Sequence, residues 1–107
     1  MSMLLVLTTV PDRDSASKIA RELVESRLAA CCSIIGGLRS VYWWEGKIEE
    51  SDELLLMIKT SEELYSQVEA RLRSLHPYTT PEIAAFKAEA VYSGYLSWLL
   101  ENVRSRD

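Results

Sequence analysis

His76 is the sole histidine of this 107-residue chain, and it stands in His76-Pro77-Tyr78-Thr79-Thr80-Pro81, a segment stiffened by two prolines and followed by Glu82. Imidazole nitrogen and carboxylate oxygen are both common donors to divalent metals, so His76 with Glu82 could hold an ion such as Cu2+ or Zn2+. The plainer reading makes His76 the closing residue of a helix, its ring bonded to the last free carbonyls. Thr8, Trp44, Lys59 and Tyr78 form a second candidate group, lying at strand ends or on the proline-rich connector. An aromatic wall, one ammonium and a few hydroxyls would suit a small anion or a nucleotide-like effector. Against that stand the lack of a phosphate loop of the form G-x-x-x-x-G-K and the frequency with which strand-end aromatics are simply packing.

Catalytic chemistry has less support. Asp12 and Asp14 could be a carboxylate pair, but their place just before a helix points to capping and to stabilising its positive end. The spacing suggests no Ser-His-Asp or Cys-His grouping, and His76 has no evident nucleophile beside it, so no catalytic residue is assigned and no enzyme is expected. Cys31 and Cys32 are the only cysteines. Neighbours on a strand direct their sulfurs to opposite sides, so a bond between them would strain the backbone. They read as small buried apolar residues in a reducing compartment rather than as thiolate ligands.

The elements that must position these groups follow from hydrophobic periodicity. Met3 to Thr9 is an unbroken apolar run, as expected of a central strand. After Pro11, Asp12 or Asp14 can cap a helix whose Ala16, Ile19, Ala20, Leu23, Val24 and Leu28 recur at i, i+3, i+4 spacing. A long strand runs from Cys31 to Trp44, with Gly36-Gly37 marking a bulge or bend. Glu45-Gly46 supplies a turn in which Gly46 takes positive φ, and Lys47 to Lys59 returns, ending in the apolar run Leu54 to Ile58. Thr60 with Glu63 reads as a capping box before a second helix bearing Leu64, Tyr65, Val68, Leu72 and Leu75. His76 to Pro81 forms an ordered connector, because residues before proline avoid the helical region. Glu82 to Val91 reads as the last strand, Tyr92 to Val103 as an amphipathic closing helix, and Arg104 to Asp107 as a fraying charged tail.

This order, β-α-β-β-α-β with an extra C-terminal helix, is the α+β ferredoxin-like antiparallel pattern over one domain, residues 1–107. The first and third strands should be central, leaving the long second strand at an edge. Only one of the adjacent Trp43 and Trp44 can enter the protomer's own core, since successive strand residues face opposite ways. An exposed aromatic edge of this kind implies that other copies cover it, so a homo-oligomer with closed symmetry is expected.

Composition narrows the class. Twelve Lys and Arg against sixteen Asp and Glu give a net charge of −4, which disfavours nucleic-acid binding. Met3 to Leu7 is too short for a signal-peptide core or a membrane span, so a cytoplasmic protein with nothing to cleave and no membrane partner is expected. A chain of this length buries enough apolar surface to fold without metal or disulfide. The acidic run Glu49-Glu50-Ser51-Asp52-Glu53 reads as solvation of an exposed arm and protection against wrong edge pairing.

Thr8-Thr9-Val10-Pro11-Asp12, Leu28-Ala29-Ala30-Cys31, Tyr42-Trp43-Trp44-Glu45-Gly46-Lys47, Lys59-Thr60 and His76-Pro77-Tyr78-x-x-Pro81 together resemble the CutA family, the divalent-cation tolerance proteins, over nearly the whole chain. The resemblance implies a homotrimer of ferredoxin-like subunits, similar to the trimer of the nitrogen-regulatory signal proteins, with hairpin arms reaching onto neighbours. It also implies a link to tolerance of copper and other divalent cations. Bacterial members described as copper-binding carry a cysteine in the first strand and two successive histidines before Pro-Tyr. Those positions are Thr8, Leu75 and His76 here, so one of the three ligands carries over, whereas copper sites ordinarily draw on several N or S donors.

Overall fold

The computed structural model describes residues 2–104. The expected tail therefore lies outside the described residues from position 105 onward. Its elements are β1 (Met3–Val10), α1 (Arg13–Glu25), β2 (Cys31–Trp44), β3 (Lys47–Ser61), a 3-10 turn (Glu62–Leu64), α2 (Tyr65–Leu75), β4 (Ala84–Lys87) and α3 (Ser93–Glu101). The four strands form one antiparallel sheet in the order β2-β3-β1-β4. This is the expected α+β arrangement, with β1 and β3 central and β2 and β4 at the edges.

β1 and β3 pair over eight positions, from Met3 opposite Ser61 to Val10 opposite Leu54. Alternation along β1 sends Leu4, Val6, Thr8 and Val10 to one side, where they are buried, and leaves Met3, Leu5, Leu7 and Thr9 half-buried on the other. The buried side is the core. Leu4, Val6, Val10, Leu56 and Ile58 of the sheet meet Ile19 and Leu23 of α1 and Val68 and Leu72 of α2 in one cluster. Each large aliphatic side chain fully buried in this way contributes about 1.5–3 kcal/mol relative to exposure.

Local chemistry sets the ends of α1. Asp12 Oδ1 accepts the Ser15 N–H at 2.7 Å, so Asp12 rather than Asp14 is the cap. The helix stops at Glu25, before Leu28. Arg27 takes a positive φ of 67°, the Leu28 N–H returns to the Leu23 carbonyl and the Arg27 N–H to the Val24 carbonyl. That is a Schellman closure, with Leu28 packed into the core beside Leu23. Val24, expected on the buried stripe, is partly exposed.

Four expectations need correction. Thr60 is not a helix cap: it lies inside β3 opposite Leu4, fully buried, and its hydroxyl donates to the Leu28 carbonyl at 2.7 Å. Pairing with β1 carries β3 on to Ser61, past the point where the capping pattern would start a helix. β4 spans Ala84–Lys87 rather than Glu82 to Val91, because β1 has no further partners to offer once the Met3 carbonyl takes the Ala88 N–H. Tyr92, expected to open the amphipathic closing helix, is instead the residue before α3 and is 80% exposed, and Leu99 is the residue of α3 that is fully buried. Finally, neither tryptophan enters the core: Trp43 is 72% and Trp44 48% exposed. Both sit on an arm that runs past the helical cover, in a molecule 44 Å long but only 28 by 22 Å across.

That arm begins at a register shift between Ile35 and Leu38. Gly37 takes a φ of 78° there, the conformation a bulge glycine permits. Its tip is a two-residue turn in which both Glu45 (φ 50°) and Gly46 (φ 78°) are positive, as the type I′ hairpin requires. A Cβ at Gly37 would meet nothing within 4 Å, so Gly37→Ala should cost about 1 kcal/mol through backbone strain alone. Gly36→Ala, whose nearest neighbour would be Arg13 Nη2 at 3.8 Å, should cost less than about 0.5 kcal/mol. Chemical-denaturation curves of the two variants measure the difference.

Candidate functional site

The connector after α2 is held to β1 by His76. Its backbone N–H closes α2 on the Leu72 carbonyl, while the ring turns away from the helix's own last carbonyls. Nδ1 accepts the Tyr78 N–H at 3.1 Å, so the proton resides on Nε2. The Nε2–H group donates to the Thr9 carbonyl at 2.9 Å, with the Thr8 hydroxyl 3.1 Å away. His76 is thus buried with both nitrogens engaged, and its ring stacks at a tilt on Tyr78, centroids 5.0 Å apart.

Tyr78 continues the chain of contacts. Its hydroxyl donates to Glu53 Oε2 at 2.6 Å, and Glu53 is buried. Burial, the bond to Glu53 and the Glu53 charge all push the Tyr78 phenol above its usual range, so it stays a donor at neutral pH. Thr8, Thr9, His76, Tyr78 and Glu53 therefore form one polar network tying the sheet centre to the base of the arm.

Beside this network lies a cleft of about 750 Å³, lined by the arm, the connector and the end of β1. Trp44, Tyr78 and Glu82 of the candidate residues line it, with Tyr42, Trp43, Glu53 and Thr9. Thr8 does not: it faces the core behind the His76 ring. Lys59 is also elsewhere, opposite Leu5 and Cys31 in the register, three positions along the strand and roughly 10 Å from the level of Thr8. Its ammonium donates to the Ser33 hydroxyl at 2.7 Å and sits 3.7 Å from Cys31 Sγ. The expected ammonium is thus absent from the cleft lining and two carboxylates are present, which reverses the charge expected there. Glu53 was concealed by the acidic run: Glu50 and Asp52 pair with Arg39 in solvent, and only the last member turns inward. Its one sequence signal is its place directly before the apolar run Leu54 to Ile58.

The donor set does not build a resident metal centre within one protomer. The bonded partners of the His76 ring are Thr8, Thr9 and Tyr78, not Glu82, and either nitrogen would have to give up a hydrogen bond to bind an ion. Among the described residues, no three His, Cys, Asp or Glu side chains gather where they could hold a metal. Cys31 and Cys32 are free and half-buried rather than fully buried. Burial, with Cys31 alongside and only partly offset by Lys59, raises the Cys32 thiol to about 12, so it is not a thiolate at neutral pH.

Comparison with known proteins gives a consistent picture. The family model described as CutA1 divalent ion tolerance protein matches residues 4–102. The "Divalent-cation tolerance protein CutA" of Thermus thermophilus is 47% identical over 98 residues, covering 92% of this chain and 95% of the relative. A solved structure of the Thermus thermophilus protein superposes with a TM-score of 0.92 at 45% identity, over 95% of this chain and 99% of that one. The CutA structure from Xylella fastidiosa superposes with a TM-score of 0.94 at 38% identity, over 97% of this chain and all of that one. Related proteins are named chloroplastic in Oryza sativa and periplasmic in Archaeoglobus fulgidus.

Two measurements probe the network. Tyr78→Phe leaves the buried Glu53 carboxylate without its donor and should cost about 1–3 kcal/mol of unfolding free energy. For His76, burial favours the neutral ring and lowers its pKa below the ordinary 6.5, with the Thr9 carbonyl and Glu53 partly opposing. Between 6.5 and that lower value the unfolded ring binds a proton and the folded one does not. Stability should therefore fall as pH drops through this window, and His76→Gln should flatten that part of a denaturation-versus-pH profile.

Proposed function

The chain belongs to the CutA1 divalent ion tolerance family, and on that premise we propose that it is a non-catalytic homotrimer acting in tolerance of divalent cations, with ligand clefts completed between copies. The observation that carries this reading is the uncovered surface of the protomer. Val41, Trp43 and Ile48 of the arm are exposed, as are Ile35 and Phe86 beside the half-buried Leu5, Leu7, Leu55 and Met57 on the sheet face away from the core. Apolar surface this extensive, spread over both faces of a ribbon with a free edge at β2, is stable in water when identical chains cover it. Two free cysteines suit a reducing compartment, and the cytoplasm is the proposed location.

Within that reading the divalent cation is a ligand to be met, not a resident cofactor. Glu82 offers an exposed carboxylate at the cleft, and His76 offers an imidazole at the expense of one of its bonds, so His76 and Glu82 are the proposed contacts for Cu2+ or Zn2+, and weak ones. Thr8 and Leu75, where copper-binding relatives carry Cys and His by the resemblance above, add no donor of that kind. A second reading, a small-ligand sensor resembling the nitrogen-regulatory signal proteins, is favoured by the aromatic lining of the cleft.

Light scattering on the purified protein at micromolar concentration should give the mass of three chains, and a monomer overturns the assembly. Calorimetric titration of Cu2+ should show Glu82→Gln weakening binding by about 10-fold, with His76→Ala weaker still. Superimposable isotherms for wild type and both variants would remove the metal contacts.

A further inference from the structure

We propose that the cleft between arm and connector is a site for a small organic ammonium ion, held by the faces of Tyr42, Trp44 and Tyr78 and by the carboxylates of Glu53 and Glu82. The proposal rests on the reading of the cleft as a ligand site, and it names the ligand's class. Its cleft volume, about 750 Å³, lies within the range of small-molecule sites.

Charge decides the class. Among the described residues of one protomer, two glutamates line the cleft, and no Lys, Arg or His does. The nearest guanidinium on the arm, that of Arg39, is held by Glu50 at 3.5 Å and Asp52 at 3.0 Å, so it offers little to an incoming anion. Lys59 is spent on Ser33 beside Cys31 at another part of the sheet. Lys47, paired with Trp44 at the tip, lies outside the lining, so an anion entering the cleft would meet the two lining carboxylates first, whereas a cation would meet complementary charge.

Ligand chemistry then separates an organic cation from an inorganic one. A divalent ion needs several donors converging at about 2.0–2.6 Å, and no such group of three side chains exists among the described residues. Glu53 is already half used, since Oε2 accepts the Tyr78 hydroxyl at 2.6 Å, which fixes the carboxylate and leaves Oε1 as its remaining acceptor. An alkylammonium needs less: one or two acceptors for its N–H groups and aromatic faces within about 6 Å for its charge and carbon skeleton. Ser40, Thr79 and Thr80 supply further hydroxyl acceptors around the same space. The Tyr78–Glu53 bond and the prolines on either side of the connector hold one wall in place before any ligand arrives.

Three probes of one skeleton test this by calorimetry or by chemical-shift titration: phenethylammonium, 2-phenylethanol and 3-phenylpropanoate, positive, neutral and negative. The ammonium should bind about 10-fold more tightly than the alcohol, and the carboxylate should bind most weakly. Glu82→Gln, which removes charge at an exposed position with little change of shape, should weaken the ammonium by about 5-fold and leave the alcohol unchanged. Equal affinity for ammonium and alcohol, tighter binding of the carboxylate, or no binding of any probe overturns the proposal. Light scattering on the same samples separates the two levels of inference. A trimer that ignores the ammonium sinks this site and leaves the assembly standing, and a trimer that binds Cu2+ but not the ammonium does likewise. A monomer that binds the ammonium sinks the assembly and keeps the site.

Discussion

The eight-position pairing of β1 with β3 is the constraint on which everything else in this molecule hangs. Side chains alternate strictly along a strand, so that register decides at one stroke what faces the helices and what faces away. It sends Thr8 inward to the His76 ring and leaves Thr9 to present its carbonyl to the same ring and its side chain to the cleft. It also carries Lys59 outward to Cys31 and Ser33. A slip of one residue would expose Leu56 and Ile58, bury an ammonium and dissolve the network at the base of the arm. The cost of hydrating two large aliphatic side chains and burying a charge makes the observed register the stable one.

Much of the fold was legible in the residue pattern because burial writes itself as periodicity. The unbroken apolar runs at Met3–Thr9 and Leu54–Ile58 mark the two central strands, and the Gly36-Gly37 pair marks the bulge. The failures have a common cause, which is that local signals lose to long-range pairing. Thr60 looks like a cap, yet β1 has a partner waiting for it, and a ladder of hydrogen bonds outweighs one capping bond. The length of β4 depends on where β1 begins to offer carbonyls, which no window around residues 84–87 contains.

The candidate site was legible in its parts and not in their grouping. Trp44, Tyr78 and Glu82 were readable as chemistry near strand ends, and they do share a cleft. Glu53 was masked by its four acidic or polar neighbours, because whether a carboxylate turns inward depends on a donor twenty-five residues away at Tyr78. For His76, the choice between ligand and structural residue rested on two ring nitrogens. Both are taken up by backbone and side-chain partners supplied from β1 and from its own connector. Such a residue acts as a fastener between helix and sheet, and the titration of its ring is felt as stability.

The hairpin turn at Glu45-Gly46 has no slack, since Trp44 and Lys47 are paired directly across it. Beyond the bulge at its base, the paired part of this arm therefore changes its reach in matched steps, one residue added to each strand. Every such step moves the tip by roughly 3.3 Å and exchanges which side of the ribbon the tip residues present. Relatives whose arms differ by an odd pair would offer opposite faces to whatever they touch, so arm length acts as a discrete code for contact rather than as a continuous adjustment of span.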